Sequence, residues 1–340
     1  LKYSARDTRV LYYDCTNYFF EIEQEEGLKQ YGISKEHRPN PIVQMGLFMD
    51  GNGIPLAFNI NKGNTNEQGT MKPLEKKILS DFNLSKFIVC TDAGLASEDN
   101  RKFNDRGERA FITTQSIKKL KAHLKEWALD PKGWISPTDG KTYDISKLDE
   151  GKYKDVTFFK ERWIKENNFE QRLIVTYSIK YRDYQRIIRN SQIERAQKLI
   201  NGNLVKLKKT NPNDYKRFIT KTLCTNEGEV AKHAIYGIDS LLIAKEEAFD
   251  GFYGVCTNLE DDVSAIIRIN HGRWEIEECF RIMKSEFKAR PVYLSRDDRI
   301  KAHFTTCFLA LVLFRFMEKK LQDKYTFHEI IDGLREMDFL

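Results

Sequence analysis

The sequence predicts an α/β protein: strands alternating with helices, interrupted by an insertion or a second domain before its last helices. Three observations predict it. Segments rich in β-branched and aromatic residues alternate with helical spacing over residues 1–115, and the same pattern returns from residue 251 to 340. Residues 116–250 between them have a different, basic character. The Asp50-Gly51-Asn52-Gly53 run joins two of the strands as a hairpin.

Arg9 to Ile22 (RVLYYDCTNYFFEI) has the composition of a buried strand. Pro41 to Met49 and Ile54 to Asn61 form the hairpin arms, and Gly63-Asn64-Thr65-Asn66 then breaks the chain. Met71, Leu74, Ile78 and Leu79 have helical spacing. Lys86 to Cys90 is a short strand ending in Thr91-Asp92-Ala93-Gly94, and a helix around Ser97 to Asp105 leads to a fifth strand at Arg109 to Thr114. In the insertion, Val156 to Trp163 and Arg172 to Ile179 read as a strand pair, and Tyr184 to Lys209 as a long helix ended by Asn211-Pro212-Asn213. After a strand at Gly251 to Thr257, helices are predicted at roughly 262–288 and 298–322, separated by Arg290-Pro291.

At 340 residues, 41% hydrophobic and 31% charged, the chain is of globular rather than disordered or fibrous composition. The apolar run from Cys307 to Phe314 is too short to span a bilayer, and no secretory signal opens the chain. The chain begins with Leu1 rather than Met, so we expect a piece of a longer protein, with an N-terminal module outside it. Its six cysteines (Cys15, Cys90, Cys224, Cys256, Cys279, Cys307) include no Cys-x2-Cys pair, which argues for reduced cytosolic thiols and against zinc.

The net charge of +6 is unevenly spread. Residues 160–221 hold 16 Lys or Arg against 6 Asp or Glu, a surplus of 10, so the remainder of the chain carries +6 − 10 = −4. Such a block suits a polyanion, and equally a solvated helical face.

Asp14 lies inside an otherwise apolar strand, where an ionised carboxylate needs a cation or hydrogen bonds. Asp92 ends a strand, the position at which α/β sheets carry ligand sites. Each has a plain alternative: Asp14 paired with a buried Arg or backbone amides, Asp92 capping a turn. In HGRWEIEECFRIMK, Arg273, Glu277 and Lys284 fall within roughly 40° of one another on a helical wheel. Ile276, Phe280, Met283 and Phe287 form the adjacent apolar stripe. One acid between two bases suits a metal and phosphate site, and also a surface ion pair with a solvated Lys.

This segment resembles the Y-x2-R-x3-E-x6-K signature of the DDE transposases of bacterial insertion sequences, matched by Arg273, Glu277 and Lys284 within Arg273-Trp274-x-Ile276-Glu277-Glu278-x-Phe280. Asp50-x-x-Gly53-Ile54-Pro55-Leu56, Gly63-Asn64-Thr65-x-Glu67 and Arg299-Ile300-x-Ala302-His303 also resemble that family, so the likeness covers nearly the whole chain. It implies a ribonuclease-H-like core with a mixed five-stranded sheet, in which the 185 positions between Asp92 and Glu277 accommodate an insertion domain. It further implies that Asp14, Asp92 and Glu277 hold two Mg2+ ions, which Mn2+ can replace. Asp14 would bridge both ions, while Asp92 would hold one and Glu277 the other. The implied activity is cleavage at transposon ends followed by strand transfer of the 3′-hydroxyl into target DNA. The partners would be double-stranded DNA (terminal inverted repeats and target) and a second copy in a homodimeric DNA complex, in the bacterial cytoplasm at the nucleoid. Arg273 and Lys284 would grip phosphates and Trp274 would stack on an unpaired base. The signature Tyr is replaced by Asn270, which can still donate to a phosphate but cannot stack. Two other readings are a ribonuclease-H-like nuclease or resolvase without strand transfer, and a catalytically silent DNA-binding protein derived from a transposase.

Overall fold

The computed structural model describes residues 6–202, 213–224 and 230–337. In chain order, the first elements are β1 (Val10–Phe19), β2 (Ile42–Asp50), β3 (Pro55–Lys62), α1 (Met71–Phe82), β4 (Ile88–Thr91), α2 (Glu98–Phe103) and β5 (Ala110–Gln115). The next are α3 (Ala122–Leu129), β6 (Trp134–Ile135), β7 (Thr142–Tyr143), α4 (Glu150–Tyr153), β8 (Thr157–Glu166), β9 (Phe169–Ser178), α5 (Ile179–Asn201), β10 (Ile219–Cys224), β11 (Val230–Ile238) and α6 (Ser240–Glu247). The chain closes with β12 (Phe252–Thr257), α7 (Val263–His271), α8 (Trp274–Arg281), α9 (Asp297–Lys320) and α10 (Phe327–Arg335).

Two compact units divide the chain. One comprises Leu1–Gln115, Trp163–Arg172 and Cys256–Leu340, the other Ser116–Arg162 and Leu173–Val255. The first changeover follows Gln115 and the last precedes Cys256, and ten residues between them, Trp163–Arg172, fall in the first, core unit. They are the tip of the β8–β9 hairpin, whose two-residue turn puts Asn167 and Asn168 at φ of 50° and 57°. Asn tolerates that left-handed conformation, and a turn with both central residues there matches the twist of paired strands.

In the core unit the strands run β3-β2-β1-β4-β5. β1, β2 and β3 are antiparallel, whereas β1-β4-β5 are parallel, the mixed order expected of a ribonuclease-H-like sheet. The expected count of five strands falls short, because the last residues of β12 lie beside β5; the Thr257 hydroxyl donates to Phe111 O at 2.6 Å. Side chains of β1 alternate between faces. Leu11, Tyr13 and Cys15 pack with Phe48, Leu56, Val89 and the α1 residues Met71, Leu74 and Ile78. Tyr12, Asp14 and Thr16 take the opposite face, where Tyr12 Oη donates to Ile269 O of α7 at 2.9 Å.

α9 is long and apolar enough to meet the length and composition of a membrane span, contrary to the shorter run read from sequence; a core helix meets the same criteria. Its inner face packs Phe304 on Tyr18 and Phe308 on Phe58, and Phe314 meets Phe327 of α10. Buried Arg315 ends that face. It donates to Gly53 O at 2.9 Å, to Glu318 at 2.5 Å and to Glu275 of α8. Gly53 has φ of 79°, and a Cβ there would lie 1.8 Å from Glu275 Oε2, so the hairpin turn needs glycine twice over.

In the second unit, α5 packs Ala196 against Phe218 and Ile219 at the foot of the β10–β11 pair. Trp134 is fully buried against Tyr177 and Phe252. The helix expected over 184–209 begins earlier, at Ile179, and is described to Asn201; the remainder of that prediction and most of the Asn211-Pro212-Asn213 stop lie outside the described residues.

Candidate active site

Parallel pairing brings the two aspartates together. In the β1–β4 register Tyr12 faces Cys90, so two residues further along each strand Asp14 comes beside Asp92. Adjacent strands lie about 4.8 Å apart, and equal parity puts both side chains on the same face. Asp14 is half-buried, and its Oδ1 accepts from Cys15 N at 2.7 Å. Asp92 Oδ1 accepts from Leu95 N at 3.0 Å, so it does cap its turn. Neither Oδ2 accepts a hydrogen bond from another described residue. Burial pushes the Asp14 carboxyl up to about 6; Lys35 pulls it down, Asp92 pushes it up, and Arg273 pulls it down. A half-buried acid repelled by a neighbouring acid and bearing a free oxygen fits a hard cation by its donor chemistry.

The helical segment expected over 262–288 is broken. α7 ends at His271, α8 begins at Trp274, and a wider π turn at Ile282–Glu286 follows. Gly272 stands at the first break as the cap of α7 and lies against the Tyr12 ring, where a Cβ would be 2.2 Å from Tyr12 Oη. The π turn means that the 100° spacing does not carry through to Lys284. The apolar stripe holds, with Ile276, Phe280 and Met283 buried and Phe287 against Phe327.

At the α7–α8 break, Arg273 Nη1 donates to Thr114 Oγ1 at 3.0 Å. Thr91 pairs with Thr113, so Thr114 is next in register to Asp92, and Arg273 reaches the carboxyl end of the parallel strands. Lys284 Nζ lies 3.6 Å from Glu36 Oε1 and over the Tyr18 ring, and burial together with Lys35 pushes its ammonium down to about 8. Glu277 is exposed, and its side chain makes no ion pair or hydrogen bond to another described residue. The other α8 acids are engaged: Glu275 with Arg315 and Lys319, Glu278 with Arg281. The structure thus brings Asp14, Asp92, Arg273 and Lys284 into one electrostatic neighbourhood but gathers no three acids closely enough to hold an ion among the described residues.

Two further residues of the segment differ in fate. Trp274 is 58% exposed, free of the core packing that is commoner for a helical Trp. Asn270 is only 5% exposed and its Oδ1 accepts from the Cys90 thiol at 3.8 Å, so the residue expected to meet a phosphate is buried, on the sheet side of α7.

The basic block also changes on inspection. Arg182 pairs with Glu150 and Asp183, Arg189 with Asp250 and Glu247, and Arg217 with Glu246. Lys180 lies 3.7 Å from Asp155, and Lys160 donates to the Trp127 and Asp130 carbonyls. Most of those acids lie outside 160–221, so the counted surplus overstates the free charge. Lys206, Lys208 and Lys209 lie outside the described residues.

Sequence reasoning missed Lys35, Glu36 and Thr114. One signal pointed near them: Glu67, in the Gly63-Asn64-Thr65-x-Glu67 stretch, lies 3.4 Å from Lys35 Nζ.

No curated protein matches the chain. A solved structure described as a piggyBac transposase synaptic complex with hairpin DNA is similar at a TM-score of 0.45 and 8% identity, covering 94% of this chain and 48% of that one. The chain thus spans about half the length of that transposase. The family described as transposase DDE domain matches residues 19–313, a span that holds Asp92, Arg273, Glu277 and Lys284 and starts just past Asp14. Over most of its length, then, the chain belongs to the transposase DDE domain family.

Proposed function

We propose that the protein cleaves DNA at the ends of a transposon and joins the freed 3′-hydroxyl to target DNA, using divalent metal held by Asp14, Asp92 and Glu277. The observation that carries this reading is the parallel β1–β4 register, which sets Asp14 beside Asp92 below the α7–α8 break. Two Mg2+ ions, or Mn2+, would activate the oxygen nucleophile and offset the charge that grows on the leaving oxygen. The chain's own residues do the rest. Asp14, Asp92 and Glu277, the last unengaged on α8, would hold the ions. Arg273 and Lys284 hold backbone phosphates without reading sequence. Trp274, exposed at the start of α8, stacks on an unpaired base near the end. Carboxylates that repel one another without metal gain order when ions bind, so Glu277 joins the aspartates in the loaded protein.

The partners in this reading are terminal inverted repeats and target DNA, with two copies of the chain on paired ends, in the bacterial cytoplasm at the nucleoid. The test is a strand-transfer assay on end DNA of the parent element, with and without Mg2+. The expected outcome is metal-dependent cleavage and joining in the wild type, and loss of both in Asp14→Asn, Asp92→Asn and Glu277→Gln with DNA binding retained. Cleavage without joining of a pre-cut 3′-hydroxyl end would identify a nuclease or resolvase instead. Asn270 in place of the signature Tyr, buried at 5% exposure, favours a silent DNA-binding protein as the second reading, and binding with no cleavage in Mg2+ or Mn2+ would support it.

A further inference from the structure

We propose that Lys35 is a further catalytic residue, an ammonium held beside Asp14 to bind a non-bridging oxygen of the scissile phosphate, with Glu67 as its positioning partner. This rests on the reaction proposed above. Its basis is a chain of contacts that fixes both ends of the Lys35 side chain.

At the backbone, Asn17 of β1 clamps the segment carrying Lys35. Its Nδ2 donates to Ile33 O at 3.1 Å and its Oδ1 accepts from Lys35 N at 3.2 Å. Asn17 is buried, so the clamp is shielded from water. From there the Lys35 side chain runs along β1 towards Asp14, and its Nζ donates to Cys15 O, the carbonyl next to Asp14. The ammonium also lies 3.4 Å from Glu67 Oε1.

Glu67 is itself tied to the catalytic strand. Thr70, also buried, donates through its hydroxyl to Glu67 O at 2.6 Å. That hydroxyl also shares hydrogen bonds with Tyr13 Oη at 2.7 Å and Cys15 Sγ at 3.2 Å. Asn59 of β3 donates to Thr70 O at 3.1 Å. The Gly63-Asn64-Thr65-x-Glu67 stretch, which the metal triad and the phosphate grips leave unused, thus delivers one carboxylate to one lysine.

An ammonium has three donors. Two are committed, to Cys15 O and Glu67, which leaves the third for a ligand. The side chain remains 41% exposed, so the group is held without being sealed from a ligand. A fixed cation beside the acids that meet the reacting phosphate is poised for the charge that develops in phosphoryl transfer, which is where preorganised donors act. Lys284 lies 3.6 Å from a different acid, Glu36, which Arg290 also pairs with, so the two lysines do not share one carboxylate partner.

The test compares wild type, Lys35→Met, Lys35→Arg, Glu67→Gln and Asp14→Asn on a duplex carrying the parent element's terminal repeat, in Mg2+, under single-turnover conditions. Lys35→Met is expected to cleave about 100-fold more slowly, the usual loss when one transition-state donor is removed. Its Tm and its Kd for the uncut duplex stay within error and within about threefold of wild type, respectively. Lys35→Arg recovers part of the rate, and Glu67→Gln loses roughly tenfold. The proposal is overturned if Lys35→Met cleaves at the wild-type rate. It is also overturned if the rate, Tm and Kd fall together and Lys35→Arg restores none of them, since that is the behaviour of a structural residue. If the wild type and Asp14→Asn are equally inert, the transposase reading fails and Lys35 with it. If wild type cleaves, Asp14→Asn does not and Lys35→Met does, only the Lys35 assignment fails.

Discussion

Burial in the metal-free protein disfavours the charged form of Asp14. Its folded pKa, about 6, lies above the usual 3.8, because burial disfavours the charge and Lys35 and Arg273 only partly compensate. Between those values the folded protein keeps a proton that the unfolded chain gives up, so stability falls as pH rises from about 4 to about 6 and stays lowered above it. Asp14→Asn removes the charge. The mutant is expected to gain on the order of 1–3 kcal/mol at pH 8 without metal, and nothing at pH 3.5. Adding Mg2+ should raise the Tm of the wild type and leave that of the mutant unmoved. Thermal melts at the two pH values, with and without Mg2+, check this; equal Tm for both proteins at pH 8 would refute the desolvation account. The same residue shows what sequence can and cannot reveal. A lone Asp in Leu11-Tyr12-Tyr13-Asp14-Cys15 stands out locally, but Lys35, its nearest compensating cation, is set beside it by folding and carries no local mark.

At the scale of elements, α8 is held to the core by a buried ion network as well as by its apolar stripe. Arg315 of α9 bonds Gly53 O in the β2–β3 turn and the carboxylates of Glu275 and Glu318. Removing it leaves two acids crowded in a partly buried place with only Lys319 nearby. Arg315→Met should therefore destabilise the protein by about 3 kcal/mol, the scale for breaking a buried pair from one side. Adding Glu275→Gln should restore part of that loss in chemical denaturation, and a fully additive double mutant would show that the network is not cooperative. The strands themselves were legible: β-rich composition marked β1, and Asp50-Gly51-Asn52-Gly53 marked the hairpin with the correct arms. The apolar stripe of α8 was legible too, because its period is local. The close approach at Gly272 was not, since the Tyr12 ring it lies against is 260 positions away in sequence. Nor was the π turn, which upset the angular argument linking Glu277 to Lys284. The Arg315 network likewise joins three elements that no window of sequence contains.

For the molecule as a whole, the question is which cations meet DNA. The surplus counted over residues 160–221 suits a polyanion or a solvated face, yet Arg182, Arg189 and Arg217 are each matched by acids within the same unit. A paired, buried cation releases no condensed counterion on binding and so adds nothing to the salt dependence, whereas each lysine or arginine that neutralises a phosphate adds about 0.9 to the slope of log K against log salt. Lys284 is in the second class if it grips a phosphate, even though Glu36 is near it in the free protein. Lys284→Ala should weaken end binding and lower that slope by about one. Arg189→Ala, which takes from buried Asp250 its partner at 2.6 Å and leaves it only the longer pair with Arg186 at 3.6 Å, should instead lower the Tm and leave the slope of the still-folded protein unchanged. Binding titrations from low to moderate salt, run well below the melting temperature, separate the two. Equal loss of slope in both variants would give the insertion the leading role in DNA binding; no loss in Lys284→Ala would remove that lysine from the phosphate grip.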